Sequence, residues 1–468
     1  MQSLLTPIAT QPAPSLPPEV KGWPWVGALP ALIRNPIAFL TKAREWYGDL
    51  YTLNLGFAKV VVCNHPRHAQ HILRDHIDNY GKDGAFWASV RGLFGNGLLT
   101  SEGEFWRRQR RLMQPHFHRQ RLATLLTVMV DAIDESLDGW QTTVNEHTPF
   151  DLMPAAADLT MRVVVNALFG TALSADELAE VGRNMAFALD YMTVNAATQS
   201  LPAWAPVPGR RRYRQAIAQI DAAIYRIIAA SRQATDGGDH LLGMLLNSVD
   251  EETGERMDDR QLRDEIFTLF LAGYETTSIA LVWAFAYLTT HPTVMAKLQA
   301  EVDKVLDERD PDAPITFVDL PKLTYTRQVL QEILRLRPPS YWSQRTAVAD
   351  DEMDGYRIPA GTMVVWLTYM IHHHPALWPD PEHFDPDRFA PQADGSARPT
   401  RHPFAWMPFG VGQRICIGRD FALMEGTLAL AMIVRRFQVR AVADHVPQLG
   451  LSTTLRPKAG VRVHLSSR

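Results

Sequence analysis

The stretch that most constrains this chain is Pro408-Phe409-Gly410-Val411-Gly412-Gln413-Arg414-Ile415-Cys416-Ile417-Gly418. It sets one cysteine in a glycine-rich loop just ahead of an apolar helical pattern. Glycine reaches backbone angles that other residues avoid, so the loop can curl around a single sulfur. Amide N–H groups in such a curl stabilise a thiolate, and so does the positive end of the following helix. This is how a protein presents a thiolate to a metal. The other cysteine, Cys63, ends the apolar run Val60-Val61-Val62 and has the setting of a small buried hydrophobe. Two cysteines of such different character give no disulfide framework and fit a reducing compartment.

The loop resembles the haem-binding segment of the cytochrome P450 family, F-x-x-G-x-R-x-C-x-G. Phe409, Gly412, Arg414, Cys416 and Gly418 meet every fixed position. The resemblance implies haem b with Cys416 as its axial thiolate ligand and Phe409, Gly410 and Gly418 around it. It also implies a mainly α fold with a small β lobe, the haem buried between a long central helix and the cysteine loop.

With 468 residues, 46% of them hydrophobic, the chain can build a large core. No Gly/Ser linker or repeat divides it, so residues 22–468 are expected to form one domain. Residues 1–21 carry prolines at 7, 12, 14, 17 and 18 and are expected to be an extended, flexible leader. The net charge of −4 gives no reason to expect nucleic acid. No run is expected to reach the ~20 apolar residues that span a bilayer. A soluble, cytoplasmic, bacterial-type protein without a transmembrane anchor follows as an expectation.

Residues 258–290 have the pattern of one long helix, interrupted at Leu271-Ala272-Gly273-Tyr274-Glu275-Thr276-Thr277-Ser278. Glycine followed by hydroxyls weakens a helix, because Thr and Ser can bond back to the preceding turn. The segment is similar to the family's A-G-x-[DE]-T-[TS]. The resemblance implies that Ala272 and Gly273 leave room for O2, that Thr276 hydrogen-bonds it and that Glu275 passes protons.

Trp106 and Arg110 stand four apart on a basic helix and match the family's W-x-x-x-R, which implies contact with a haem propionate. Arg345, Arg414 and His402 are further propionate candidates. Arg107, Arg108, Arg111, Arg119 and Arg121 exceed what propionates need. Most are expected to form a solvated face, and one or two to meet an acidic electron donor. Glu332 and Arg335 match E-x-x-R, and Arg388 falls in Pro381-Glu382-His383-Phe384-Asp385-Pro386-Asp387-Arg388-Phe389, which matches P-x-x-F-x-P-x-R-F. These three charges are expected to fix the cysteine loop rather than to react. His372-His373-His374 cannot all face one ion and is not a metal site.

Residues 81–97, with glycines at 81, 84, 92, 95 and 97, predict an apolar loop over the substrate. Substrate contacts are expected from Phe86, Trp87, Phe94, Leu271, Ala272, Tyr341, Trp342 and, at a turn of the C-terminal tail, Thr453. Hairpins are expected at residues 51–63, 356–366 and 449–465, and a turn at 236–239. Arg91 is the one cation placed to anchor a substrate carboxylate.

The expected reaction is RH + O2 + 2e⁻ + 2H⁺ → ROH + H2O on an apolar small molecule, a hydroxylation or epoxidation belonging to secondary metabolism. A terpenoid is the first expectation and a fatty acid or polyketide the second. The chain continues too briefly past the loop for a fused flavin reductase. A separate ferredoxin or flavodoxin with its reductase is therefore expected to supply electrons. A peroxide-driven or isomerising haem enzyme, and a non-catalytic haem-thiolate sensor, are the alternatives. The intact Glu275-Thr276 pair argues against both.

Overall fold

The helix Asp259–Leu288 is the axis on which the other elements are laid. It begins at a capping box in which Asp258 accepts the Gln261 amide and the Gln261 side chain accepts the Asp258 amide. Its flanks are apolar almost all round, from Leu262 to Leu288, which is the composition of a helix with no solvent face. The computed structural model describes residues 15–143, 148–170, 174–198, 201–202, 204–233, 240–307, 315–391, 402–443 and 445–468. The expected turn at 236–239 and most of the leader lie outside them.

Helices surround this axis. Leu152–Phe169 lies along one side, Thr324–Leu336 and Arg419–Arg436 along another, and Ala175–Thr198 with Arg210–Gln233 form a pair above. One apolar cluster joins the central helix to Arg419–Arg436 and Thr324–Leu336, and a second joins it to the upper helices. Leu152–Phe169 and Asp259–Leu288 are long and apolar enough to cross a membrane, contrary to expectation, but most of each is buried inside the protein. Their hydropathy is that of core helices.

The β lobe is a five-stranded sheet. Leu50–Asn54 and Lys59–Cys63 form the expected antiparallel hairpin. Lys59–Cys63 then pairs in parallel with Met363–Trp366, Val60 opposite Met363. Met363–Trp366 pairs antiparallel with Ser343–Ala347, which meets Tyr80–Gly81 at the far edge.

Four expectations need correction. The segment 81–97 is not a loop: Ala85–Phe94 is a helix burying Trp87, Val90, Leu93 and Phe94 on one face. Its glycines bound it, with Gly84 and Gly95 at φ 95° and 66°. Tyr356–Ile358 does not pair with Met363–Trp366; it pairs with Asp351–Met353. The reason is the Asp354-Gly355 turn, φ 53° and 78°, the two left-handed residues of a tight hairpin. In the tail, only Leu449–Leu451 and Leu455–Pro457 form the hairpin, while Arg462–Ser467 joins Phe437–Ala441 and Phe150–Asp151 in another sheet. Lastly, the packed chain begins before Gly22: Val20 is buried, its amide donates to the Thr52 carbonyl at 2.9 Å, and the Arg357 amide reaches the Ser15 carbonyl at 2.9 Å.

A candidate active site at a buried cysteine

The cysteine loop owes its shape to two glycines in the left-handed region, Gly410 at φ 68° and Gly412 at φ 69°. A side chain on Gly412 would also collide with the Leu73 carbonyl, so the helical turn His71–Asp75 presses directly on the loop. The Cys416 amide donates to the Phe409 carbonyl at 2.8 Å and closes the curl. Burial pushes the Cys416 thiol up, while the Gly418 amide, Arg110 and Arg419 pull it back. The sulfur is nonetheless accessible, because its open side faces an internal cavity.

Glu332 and Arg335 sit on Thr324–Leu336 and are fully buried. Arg335 Nε and Nη2 hold the two Glu332 oxygens at 2.7 and 2.8 Å. Its Nη1 reaches the carbonyls of His372 at 2.9 Å and Pro381 at 2.7 Å. Arg388 brings Nε within 3.3 Å of Glu332 and donates to the Pro379 and Asp380 carbonyls. His372 Nδ1 meets the Arg335 carbonyl at 3.1 Å, and the Met407 amide donates to His372 Nε2 at 2.9 Å. The charge network thus ends on the residue before Pro408. The histidine run is no metal site: His373 stacks on Tyr369 and His374 meets Asp49 at 3.1 Å.

The cavity beside Cys416 has a volume of about 410 Å³. Lys82, Arg110, Arg345 and Arg414 all line it, and among the described residues no carboxylate does. Arg414 lies over the Trp106 ring at 3.8 Å, and Arg345 over Trp87 and Trp366. Burial lowers the Arg345 guanidinium to about 10, and Arg414 adds repulsion. Burial likewise lowers Arg414 to about 10 and pushes Lys82 well below the usual lysine range, where Arg345 and Arg414 repel it further. Glu102, outside the lining, is the one carboxylate that acts on Lys82, Arg345 and Arg414 together, and a single carboxylate against three buried cations leaves room for an anionic occupant. A large flat apolar group carrying two carboxylates, with a thiolate beside its centre, satisfies this set, and haem b is such a group. Lys82 was not foreseen; its only signal is a lysine between the apolar runs of a glycine-rich segment. His402 does not line the cavity: its Nδ1 accepts the Phe404 amide at 3.1 Å.

The central helix contributes Ala272, Gly273 and Thr276 to the same lining. The Thr276 hydroxyl donates to the Ala272 carbonyl at 2.7 Å, and Thr160 from the neighbouring helix donates to the Tyr274 carbonyl at 2.9 Å. Gly273 has a packing reason of its own: a Cβ there would lie 2.9 Å from Val164 Cγ2. Glu275 is turned toward the C-terminal hairpin, where Thr454 donates to its Oε1 at 3.0 Å. Burial raises its carboxyl to about 6, against the pull of Thr454 and Arg456 and with a push from Asp190. Arg456 and Asp190 pair at 2.7 Å with both side chains reaching solvent. The Thr453-Thr454 turn was expected near the pocket, but neither the bond from Thr454 to Glu275 nor Arg456 was foreseen, since nothing in the sequence pairs the tail with this carboxyl.

Of the expected substrate contacts, only Trp87 and Ala272 line the cavity. Phe94 packs edge-on against Phe267, and Leu271 is buried in the core. Phe86 and Trp342 meet ring to ring at 5.1 Å, and Tyr341 donates to the Ser452 carbonyl. The turn residue that reaches the site is Thr454, not Thr453. The apolar wall comes instead from Leu98, Val164, Leu168 and Leu269. Arg91 is occupied by the Lys82 carbonyl and Glu102, away from the cavity. On the outer side of the loop, Arg107 pairs with Glu104, Arg108 with Glu255, and Arg111 with Asp250 and Glu252. Arg119 lies over Phe317. Most of the surplus arginines are thus neutralised within the chain, as a solvated face would be.

The family model described as Cytochrome P450 matches residues 17–463. Cyclooctatin synthase of Streptomyces melanosporofaciens is 36% identical, covering 90% of this chain and 89% of its own. Cyclooctat-9-en-7-ol 5-monooxygenase of the same organism is 34% identical over 92% and 93%. Pentalenene oxygenase of Streptomyces avermitilis is 31% identical over 95% and 96%. Among solved structures, the cytochrome P450DA heme domain superposes with a TM-score of 0.86 at 27% identity, covering 98% of this chain and 99% of that one.

Proposed function

Because this chain belongs to the cytochrome P450 family and is a haem b monooxygenase that needs O2 and an electron donor, we propose that it hydroxylates or epoxidises a terpenoid. The observation that carries the reading is the cavity itself: the Cys416 thiol, Ala272 and Thr276 in one mostly apolar lining, with four cations and, among the described residues, no carboxylate. The relatives named for cyclooctat-9-en-7-ol and pentalenene are terpenoid-modifying enzymes, and this cavity offers an uncharged substrate an apolar wall.

In this reading Cys416 would ligate the iron, and Lys82, Arg110, Arg345 and Arg414, with Trp106 beside them, would hold the two propionates. The bound haem supplies O2 activation and insertion of one oxygen atom into a C–H or C=C bond, which the side chains cannot do themselves. The Thr276 hydroxyl, now donating to the Ala272 carbonyl, turns into the cavity and donates a proton there. Glu275 replenishes that proton from the solvent side past Arg456 and Asp190. A carboxyl poised near pH 6 can both take up and release a proton at neutral pH. The apolar walls keep bulk water from the reacting centre.

A separate ferredoxin or flavodoxin, with its reductase, completes the proposal, docking where Arg107, Arg111 and Gln413 rim a groove beside the loop. A cytoplasmic setting is part of it, in keeping with Cys63 and Cys416 both being free thiols. The test is a titration of the ferric holoenzyme with terpenes, fatty acids and macrolides, following the Soret band. A blue shift with terpenes, and product formed with reductase and NAD(P)H without added peroxide, is expected. A shift with fatty acids alone would sink the substrate assignment, and turnover only with peroxide would sink the electron-transfer reading.

A further inference from the structure

Outside the cavity, one cluster of ligating side chains is built by a local backbone device. Residues His71–Asp75 form a π-helical turn, closed by the His76 amide donating to the His71 carbonyl at 2.8 Å. In an α-helix, residues five apart point to different sides. The wider π turn brings them onto one face. The imidazoles of His71 and His76 consequently stack, with centroids 3.9 Å apart and planes 23° from parallel. Asp351, on the strand Asp351–Met353, enters from the β lobe, and its Oδ2 lies 2.8 Å from His71 Nε2 and 3.2 Å from His76 Nδ1.

The same Oδ2 also accepts the Tyr80 hydroxyl at 2.8 Å. Two ring nitrogens and one hydroxyl therefore converge on a single carboxylate oxygen, and of these only the Tyr80 hydroxyl is bound to be a donor. A cation between the imidazoles and the carboxylate suits this convergence. The two ring nitrogens become acceptors toward it, and Tyr80 remains as the outer partner that orients the carboxylate. The spacing suits this: ligand atoms around a tetrahedral ion at about 2.0–2.1 Å stand roughly 3.3 Å apart. The three ligand atoms here lie within 4.8 Å of one another.

We propose that His71, His76 and Asp351 form a binding site for one divalent transition-metal ion of the zinc class. Two imidazoles and a single carboxylate oxygen suit Zn²⁺, Co²⁺, Ni²⁺ or Cu²⁺ and disfavour Ca²⁺ and Mg²⁺, which prefer all-oxygen sets. His76 is 45% exposed, so a fourth position stays open to water. The ion would clamp the π turn to the β lobe. Leu73 belongs to that turn and presses on Gly412, so the clamp would brace the cysteine loop from outside.

The test uses tag-free holoenzyme stripped with a chelator, equilibrium dialysis against Zn²⁺ at micromolar concentration and metal analysis of the protein. One Zn²⁺ per chain is expected, with a rise in Tm that Ca²⁺ does not produce. His76→Ala, at a half-exposed position, should lose the ion or weaken binding more than about tenfold, and should lose the Tm rise. Asp351→Asn, which keeps a hydrogen-bonding side chain, should do the same, and His118→Ala, at an exposed histidine elsewhere, should not. No uptake by the parent protein, or equal uptake by His76→Ala, would overturn the assignment.

Discussion

His372 Nε2 accepts the backbone amide of Met407 at 2.9 Å, while its Nδ1 faces the Arg335 carbonyl at 3.1 Å. One neutral imidazole thus transmits the position of a buried ion pair to the root of the cysteine loop. Burial depresses its pKa to about 3, so it stays neutral and its tautomer is fixed by its neighbours. Replacing it with phenylalanine strands two buried backbone groups, each costing about 1–3 kcal/mol. His372→Phe should lower Tm and reduce the haem retained through gel filtration. Unchanged haem retention would show that the loop keeps its shape without this link.

The cations of the cavity predict opposite effects on two states. Lys82, Arg345 and Arg414 repel one another where no carboxylate lines the wall. Lys82→Met should raise the Tm of the haem-free protein and speed haem loss from the holoenzyme to an apo-globin acceptor. A lower Tm of the haem-free protein would mean that Lys82 acts there by packing rather than by charge.

The Thr454 hydroxyl favours the ionised form of Glu275, so removing it raises a carboxyl that already sits at about 6. Thr454→Val should move the Glu275-dependent limb of the kcat–pH profile upward, and Glu275→Gln should abolish that limb. A profile identical in Thr454→Val and the parent would separate the hairpin from proton delivery.

Glu265 is buried under a single Leu98 amide, and burial raises it to about 8. In the unfolded chain it ionises near 4.5, so between these values the folded state holds the extra proton. Its contribution is complete below about 4.5 and is lost as pH rises through 8. Glu265→Gln, which cannot ionise, should flatten the fall of Tm between about pH 4.5 and 8.

Gly273→Ala places a methyl against Val164 and should cost about 1–3 kcal/mol by overpacking. Pairing it with Val164→Ala should recover most of that loss in a double-mutant cycle. Additive losses would place the strain elsewhere.

The site was legible where chemistry demands contiguous residues. Cys416 needs glycines beside it, Thr276 needs its acid neighbour, and Glu332 needs Arg335 one turn on, so each appears as a short pattern. The substrate wall was not, because Leu168 and Leu269 differ from any core leucine only in which side of a helix meets the void. Thr454 and Glu275 meet across 179 residues, a coupling no local pattern encodes. The helix Ala85–Phe94 was missed because its glycines were weighed as loop residues, although Trp87, Val90 and Phe94 keep helical spacing. Asp354-Gly355 was a turn signal in plain sight, and overlooking it produced the wrong strand partner for Tyr356–Ile358.

The parallel pairing of Lys59–Cys63 with Met363–Trp366 has a consequence during synthesis. The N-terminal hairpin leaves the ribosome with the edge of Val60, Val61 and Val62 bare, and its partner emerges only about 300 residues later. Until then the nascent chain carries an apolar strand edge that any other strand could join. Chaperone cover of that edge, or slow passage through it, should therefore govern how much of the expressed chain ever reaches the stage at which haem can be captured.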